Sequence, residues 1–134
     1  MIAAFIVLLL FPLAQADTGG ATAAAQAGKV LWEGPNTACR NCHGNKGEGG
    51  YGPDLAGQGK PALVGDEFIS NWQGQTLLDL KNKLTSMPPD NAGKMTAQEY
   101  VDIMTLLLQT NRYPAGKSEL STDPEVLRQI KIEP

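Results

Sequence analysis

All the cysteine and histidine of this chain lies in one pentapeptide, Cys39-Arg40-Asn41-Cys42-His43. Two sulfurs three positions apart can be presented by one helical turn, with the imidazole carried next to them. A Cys39–Cys42 disulfide would close a tiny loop and stabilise little. Structural zinc needs four ligands, and no second Cys or His cluster exists to complete them. A thioredoxin-like redox pair wants a sheet scaffold, and no long run of alternating apolar and polar residues predicts one. The remaining reading of C-x-x-C-H is covalent attachment of one c-type haem, by thioethers from Cys39 and Cys42, with His43 as the axial ligand.

A low-spin haem iron also takes a sixth ligand, and no second histidine is present. A methionine thioether is the natural alternative. Met1 belongs to the apolar leader, and Met104 falls inside a helix as a core side chain. Met87, before Pro88-Pro89, is the expected ligand. Met95 is the reserve, although a hydrophobic staple onto the following helix equally explains it. No constellation of distal His, Arg or acid points to activation of a bound ligand.

The rest of the chain is read as all-α, a small loop-rich fold of a few short helices around the haem. Ala-rich residues 21–27 continue through Lys29-Val30-Leu31-Trp32 as a helix that Gly34-Pro35 ends. Eight glycines and two prolines between 44 and 65 predict a long wrapping loop held by something bound. Thr76-Leu77-Leu78-Asp79 has the form of a capping box, predicting a helix from Leu77 to about Thr85, with Leu77, Leu80 and Leu84 on one face. Thr96-Ala97-Gln98-Glu99 opens another, to about Thr110, with Tyr100, Ile103, Met104, Leu107 and Leu108 as its apolar face. A short helix after Thr122-Asp123-Pro124 is expected in the tail.

Residues 1–16 read as a signal peptide, with 17–134 as one domain (core about 24–110, tail 111–134). Ile2 to Ala14 is almost continuously apolar, too short for the roughly 20 residues of a membrane span, and Ala14-Gln15-Ala16 suits cleavage. No Lys or Arg precedes the apolar run, so an uncleaved anchor stays the alternative, and only then would a membrane be a partner. Export to the periplasm is expected. The net charge of −3 and the lack of a basic stripe argue against nucleic acid.

With Gly28-x-x-x-Trp32, Cys39-Arg40-Asn41-Cys42-His43-Gly44, Gly52-Pro53-Asp54-Leu55, Ser86-Met87-Pro88 and the helix from Ala97, residues 24–110 resemble the class I, His/Met-ligated cytochromes c. The resemblance implies a one-electron carrier whose first and last helices cross beside the haem. It implies that Gly28 lets them touch, with Trp32 in their interface. Pro53 would offer its carbonyl to the free ring nitrogen of His43, Leu55 would pack on the macrocycle, and Trp72 would add to the haem contacts. Three features depart from the family pattern. Six residues separate Trp32 from Cys39, the Gly47–Gly52 stretch is long, and Leu106 replaces a common aromatic.

A narrower resemblance, to cytochromes that accompany quinoprotein (PQQ-type) dehydrogenases, rests on Phe68-x-x-x-Trp72-x-Gly74-x-Thr76-Leu77, Asn111-x-x-Pro114-Ala115-Gly116, Glu119-Leu120 and Ile130-Lys131-Ile132. Ordinary core packing and a docked tail account for the same residues. The implied partners are redox proteins, with a dehydrogenase as donor and an oxidase or another cytochrome as acceptor. The chain would act as a monomer or as a subunit of a complex. A haem-based sensor or peroxidase with an open sixth site is the rival function. A fixed oxidoreductase subunit, with the tail from Tyr113 as its docking strap, is the other.

Overall fold

The computed structural model describes residues 19–35, 37, 39–49, 61–114, 116 and 118–133, with only the backbone of 19–21. The described residues form six helices and no strand. They are α1 (Gly19–Glu33), α2 (Arg40–His43), α3 (Asp66–Trp72), α4 (Leu77–Thr85), α5 (Ala97–Thr110) and α6 (Pro124–Arg128). The leader expected over residues 1–16 lies outside the described residues. No helix among the described residues is long and apolar enough to cross a membrane.

The most extensive helix packing is between α1 and α5. On α1, Ala24, Ala25, Gly28 and Trp32 are buried at helical spacing, so one face is small at its centre and aromatic at its end. A Cβ on Gly28 would lie 2.7 Å from the carbonyl carbon of Asp102 and 3.1 Å from the amide nitrogen of Ile103. The two helix backbones touch there, and only hydrogen fits between them. α5 contributes the largest share of the core, with Tyr100, Val101, Ile103, Met104 and Leu107 all buried. Met104 is completely enclosed, the core role expected for it.

Both predicted capping boxes form. Thr96 accepts from the Glu99 amide while the Glu99 carboxylate accepts from the Thr96 amide at 2.7 Å. Such an arrangement contributes about 1 kcal/mol. Thr76 and Asp79 make the equivalent pair at the start of α4. α6 begins with Asp123 as its cap and Pro in the first turn.

The helix that sequence periodicity missed is α3. Its seven residues are too few to show a helical repeat, and only Phe68 is fully buried. Its signal is local. Asp66 and Glu67 oppose the dipole of the first turn, and Phe68 and Trp72, four residues apart, bring their rings to 6.4 Å.

The tail folds back on its own domain. α6 packs against α4, and Leu127 and Ile132 are almost completely buried in the same cluster as Leu77 and Leu80. Three backbone bonds sew it to the start of α4: Leu77 N–H to Ile130 O at 2.9 Å, Gly74 N–H to Ile132 O at 2.9 Å, and Ile132 N–H to Gln75 O at 2.8 Å. The buried flank of the proposed docking strap is thus taken up by the chain itself.

Candidate functional site

The Cys39–His43 turn is a single helical turn, closed by the His43 amide donating to Cys39 O at 2.9 Å. Gly44 follows with φ of 85°, a conformation that lets the chain leave the turn abruptly. Its carbonyl accepts the indole N–H of Trp32 at 3.1 Å, and the Trp32 and His43 rings lie 6.3 Å apart. Trp32 therefore does more than fill the α1–α5 interface. It ties the end of α1 to the residue after the histidine.

No disulfide joins Cys39 and Cys42. Burial pushes the Cys39 thiol up to about 11, partly opposed by a backbone hydrogen bond and slightly reinforced by Cys42.

The His43 Nδ1 sits 2.9 Å from the carbonyl oxygen of Pro61. Pro53, expected to make such a contact, and Leu55 both lie outside the described residues. The sequence carries the same pattern twice, eight residues apart: Pro53-Asp54-Leu55-Ala56-Gly57 and Pro61-Ala62-Leu63-Val64-Gly65. The second copy faces the imidazole because the end of α5 anchors it. The Asn111 side chain donates to Leu63 O at 2.9 Å and to Leu107 O at 2.8 Å, and accepts from the Gly65 amide at 2.8 Å. A further bond runs from the Leu63 amide to Gly47 O at 2.7 Å. The duplicated Pro-x-Leu-x-Gly and the Asn at the helix end were the available signals for this cradle.

These pieces frame a cavity of about 320 Å³. Cys39, His43, Pro61 and Leu63 line it from the turn and its cradle, and Trp32, Ile103 and Leu107 from the crossing helices. Leu80, Leu84, Met87, Pro88 and Met95 line it from α4 and the segment after it. Trp72 of α3 lies on the wall. Among the remaining lining residues are Asn71 and Lys83, both exposed. Met87 is placed by its amide donating to Leu84 O at 2.9 Å, two residues past the end of α4, and is followed by a cis Met87–Pro88 bond.

The cavity thus brings one thiol of the pair, the histidine and both candidate methionines together, against walls dominated by Leu, Ile, Trp and Pro. That donor set and lining fit a haem. A planar apolar ring needs such walls, and its iron takes nitrogen and thioether sulfur as axial donors. Among the described residues no group of His, Cys, Asp and Glu could hold a separate metal ion.

No curated protein and no solved structure gives a significant match to the chain. A family model described as cytochrome C oxidase, cbb3-type, subunit III, matches residues 23–107. The matched span is well over half of the 134 residues, and it runs from the small face of α1 through the Cys39–His43 turn to Leu107 on the cavity wall. On that match, over the very elements that enclose the cavity, the chain belongs to this family of c-type cytochromes and carries a covalently bound haem.

Proposed function

We propose that the chain is a periplasmic electron carrier in which Cys39 and Cys42 attach the haem and His43 and Met87 hold its iron from the two axial positions. The bound haem supplies a one-electron couple at its iron. The observation that carries the reading is that His43 and Met87, from separate elements, line one apolar cavity with Cys39.

The residues around that cavity have defined tasks in this reading. Pro61 O holds the imidazole tautomer, so that the other ring nitrogen is free to bind metal. Trp32, Leu63, Leu80, Leu84, Ile103 and Leu107 exclude water and keep the site of low polarity. With both axial positions filled by protein, no position stays open for substrate, which separates a carrier from a sensor or peroxidase. Partners would approach one edge through a small, transient interface.

The donor we propose is a dehydrogenase, of the quinoprotein type, and the acceptor an oxidase or another cytochrome. The support for the quinoprotein donor is the sequence resemblance. Phe68, Leu77 and Ile132 are buried and Trp72 lines the cavity, so packing alone accounts for these positions. The family is described by an oxidase subunit, which favours a fixed subunit as the second reading. Copurification of the chain with a membrane oxidase separates the two.

The test of ligation is the spectrum of the exported, haem-loaded protein. The near-infrared charge-transfer band of methionine–Fe(III) is expected, lost in Met87→Ala and kept in Met95→Ala. Absence of the band, with ready binding of carbon monoxide to the reduced protein, would move the sensor or peroxidase ahead.

A further inference from the structure

We infer that Leu127 and Ile132 of the C-terminal tail are positioning residues for Met87. The tail clamps the outer flank of α4, and so keeps the sixth position closed to outside ligands. The inference rests on the Met87 ligation proposed above and concerns a segment beyond the matched family span, which ends at residue 107.

The cavity wall opposite in sequence to the Cys39–His43 turn is almost entirely a product of α4. Leu80, Lys83 and Leu84 lie on that helix, and Met87 and Pro88 follow within three residues of its end. Met87 hangs from α4 by the hydrogen bond its backbone N–H donates to Leu84 O, and the Gly93 N–H returns to the helix by donating to Thr85 O at 2.9 Å. Wherever α4 moves, the methionine moves with it.

α4 is a helix of nine residues. An isolated helix of that length is unstable in water, so its position is set by what packs on it. It packs against α5 on one side and α6 on another. The tail contributes the apolar pair Leu127, on α6, and Ile132, just after it, 0% and 1% exposed, in one cluster with Leu77 and Leu80 of α4. The same tail makes the three backbone bonds to Gly74, Gln75 and Leu77, and Thr76, the helix cap, forms a bridge with Lys131. The start of α4 is therefore fixed by the tail at both side-chain and backbone level.

A methionine held by one short helix leaves the iron whenever that helix shifts. An outside ligand binds only the fraction of molecules in which the site is open, so its apparent affinity reports that fraction. Loosening the tail raises it.

The experiment uses the full-length, haem-loaded ferric protein and imidazole as the probe, with the methionine–iron band and the melting temperature as parallel readouts. Leu127→Ala and Ile132→Ala should bind imidazole about tenfold more tightly than the parent and lose part of the band. Ala25→Gly, at a buried position on α1 outside that cluster and off the cavity wall, is the control for general destabilisation, since glycine weakens a helix interior. It should lower the melting temperature while leaving imidazole affinity within about twofold. Should the alanine variants fail to fold, Ile132→Val removes only one methylene and should shift affinity in the same direction.

Tail variants that behave like Ala25→Gly overturn the inference. Met87→Ala distinguishes the two levels. If it opens the site to imidazole and the tail variants do not, the positioning role alone is wrong. If it leaves band and affinity unchanged, the ligand assignment fails, and the positioning role falls with it.

Discussion

The two sides of the haem cavity are held in different ways. On the His43 side, the histidine follows its two cysteines directly in sequence, and the turn is tied outward at several points. Trp32 reaches Gly44 O, His43 reaches Pro61 O, and Asn111 holds the Leu63–Gly65 segment with two bonds while a third returns to Leu107 O of α5. On the Met87 side, the candidate ligand depends on a single short helix with α5 on one flank and the tail on another. The near side is over-determined by local covalent and hydrogen-bonded constraints, while the far side is a balance of packing. A carrier needs the first to retain its cofactor and the second to keep the sixth position filled. Only the second can be adjusted without risking loss of the haem.

The sharpest way to break this contrast is to attack the attachment itself. The double variant Cys39→Ser, Cys42→Ser should release all of its haem into acidified acetone, whereas Met87→Ala should retain it quantitatively. Release from Met87→Ala would mean that the two sides share the work of retention. The Leu127 and Met87 variants described above probe the opposite side, through ligand access rather than haem content.

Next in size is the cradle beneath the histidine. Asn111→Ala strands the Leu63 carbonyl and the Gly65 amide, and should cost about 1–3 kcal/mol of stability, read by chemical denaturation of the haem-loaded protein. The methionine–iron band should persist, since nothing on the α4 side is touched. An equal loss of the band would show that the cradle and the methionine loop move as one unit.

The same contrast explains how much the sequence disclosed. Cys39, Cys42 and His43 are legible because five consecutive residues suffice to state their chemistry. Helices α4 and α5 are legible, bounds included, because Thr76-Asp79 and Thr96-Glu99 set their starts and Pro88 or Asn111 their ends. Pro61 was missed because two copies of Pro-x-Leu-x-Gly fit the local pattern equally. The choice between them is made by Asn111, 48 residues from Leu63. Met87 is ranked above Met95 in the sequence only by its place before Pro88-Pro89. Both line the cavity, and the choice lies in how α4 is seated on α5 and the tail. Helix α3 escaped because seven residues carry too little periodicity. Local chemistry is written in contiguous residues, while a choice between equivalent local solutions is written in the packing.

The smallest expected effect is at the cap of α4, where the Met87 side carries a titratable group. The Thr76 hydroxyl and backbone N–H both bond the Asp79 carboxylate, at 2.6 and 2.9 Å. These two bonds, partly opposed by desolvation and helped least by the attraction of Arg128 on α6, hold its carboxyl below the usual aspartate range. A folded value below the unfolded one, about 3.9, means the cap contributes stability above that pH and loses it as pH falls through the folded value. Asp79→Asn should therefore melt slightly below the parent at pH 7, with the gap closing below about pH 4. Solvent surrounds the carboxylate and screens it, so the difference at pH 7 should be the least of those predicted here. Parallel melting curves from pH 7 to pH 3 decide it. A gap that stays constant or widens on acidification would remove the carboxylate from the account of what seats α4, and leave the tail and α5 to hold Met87 by packing alone.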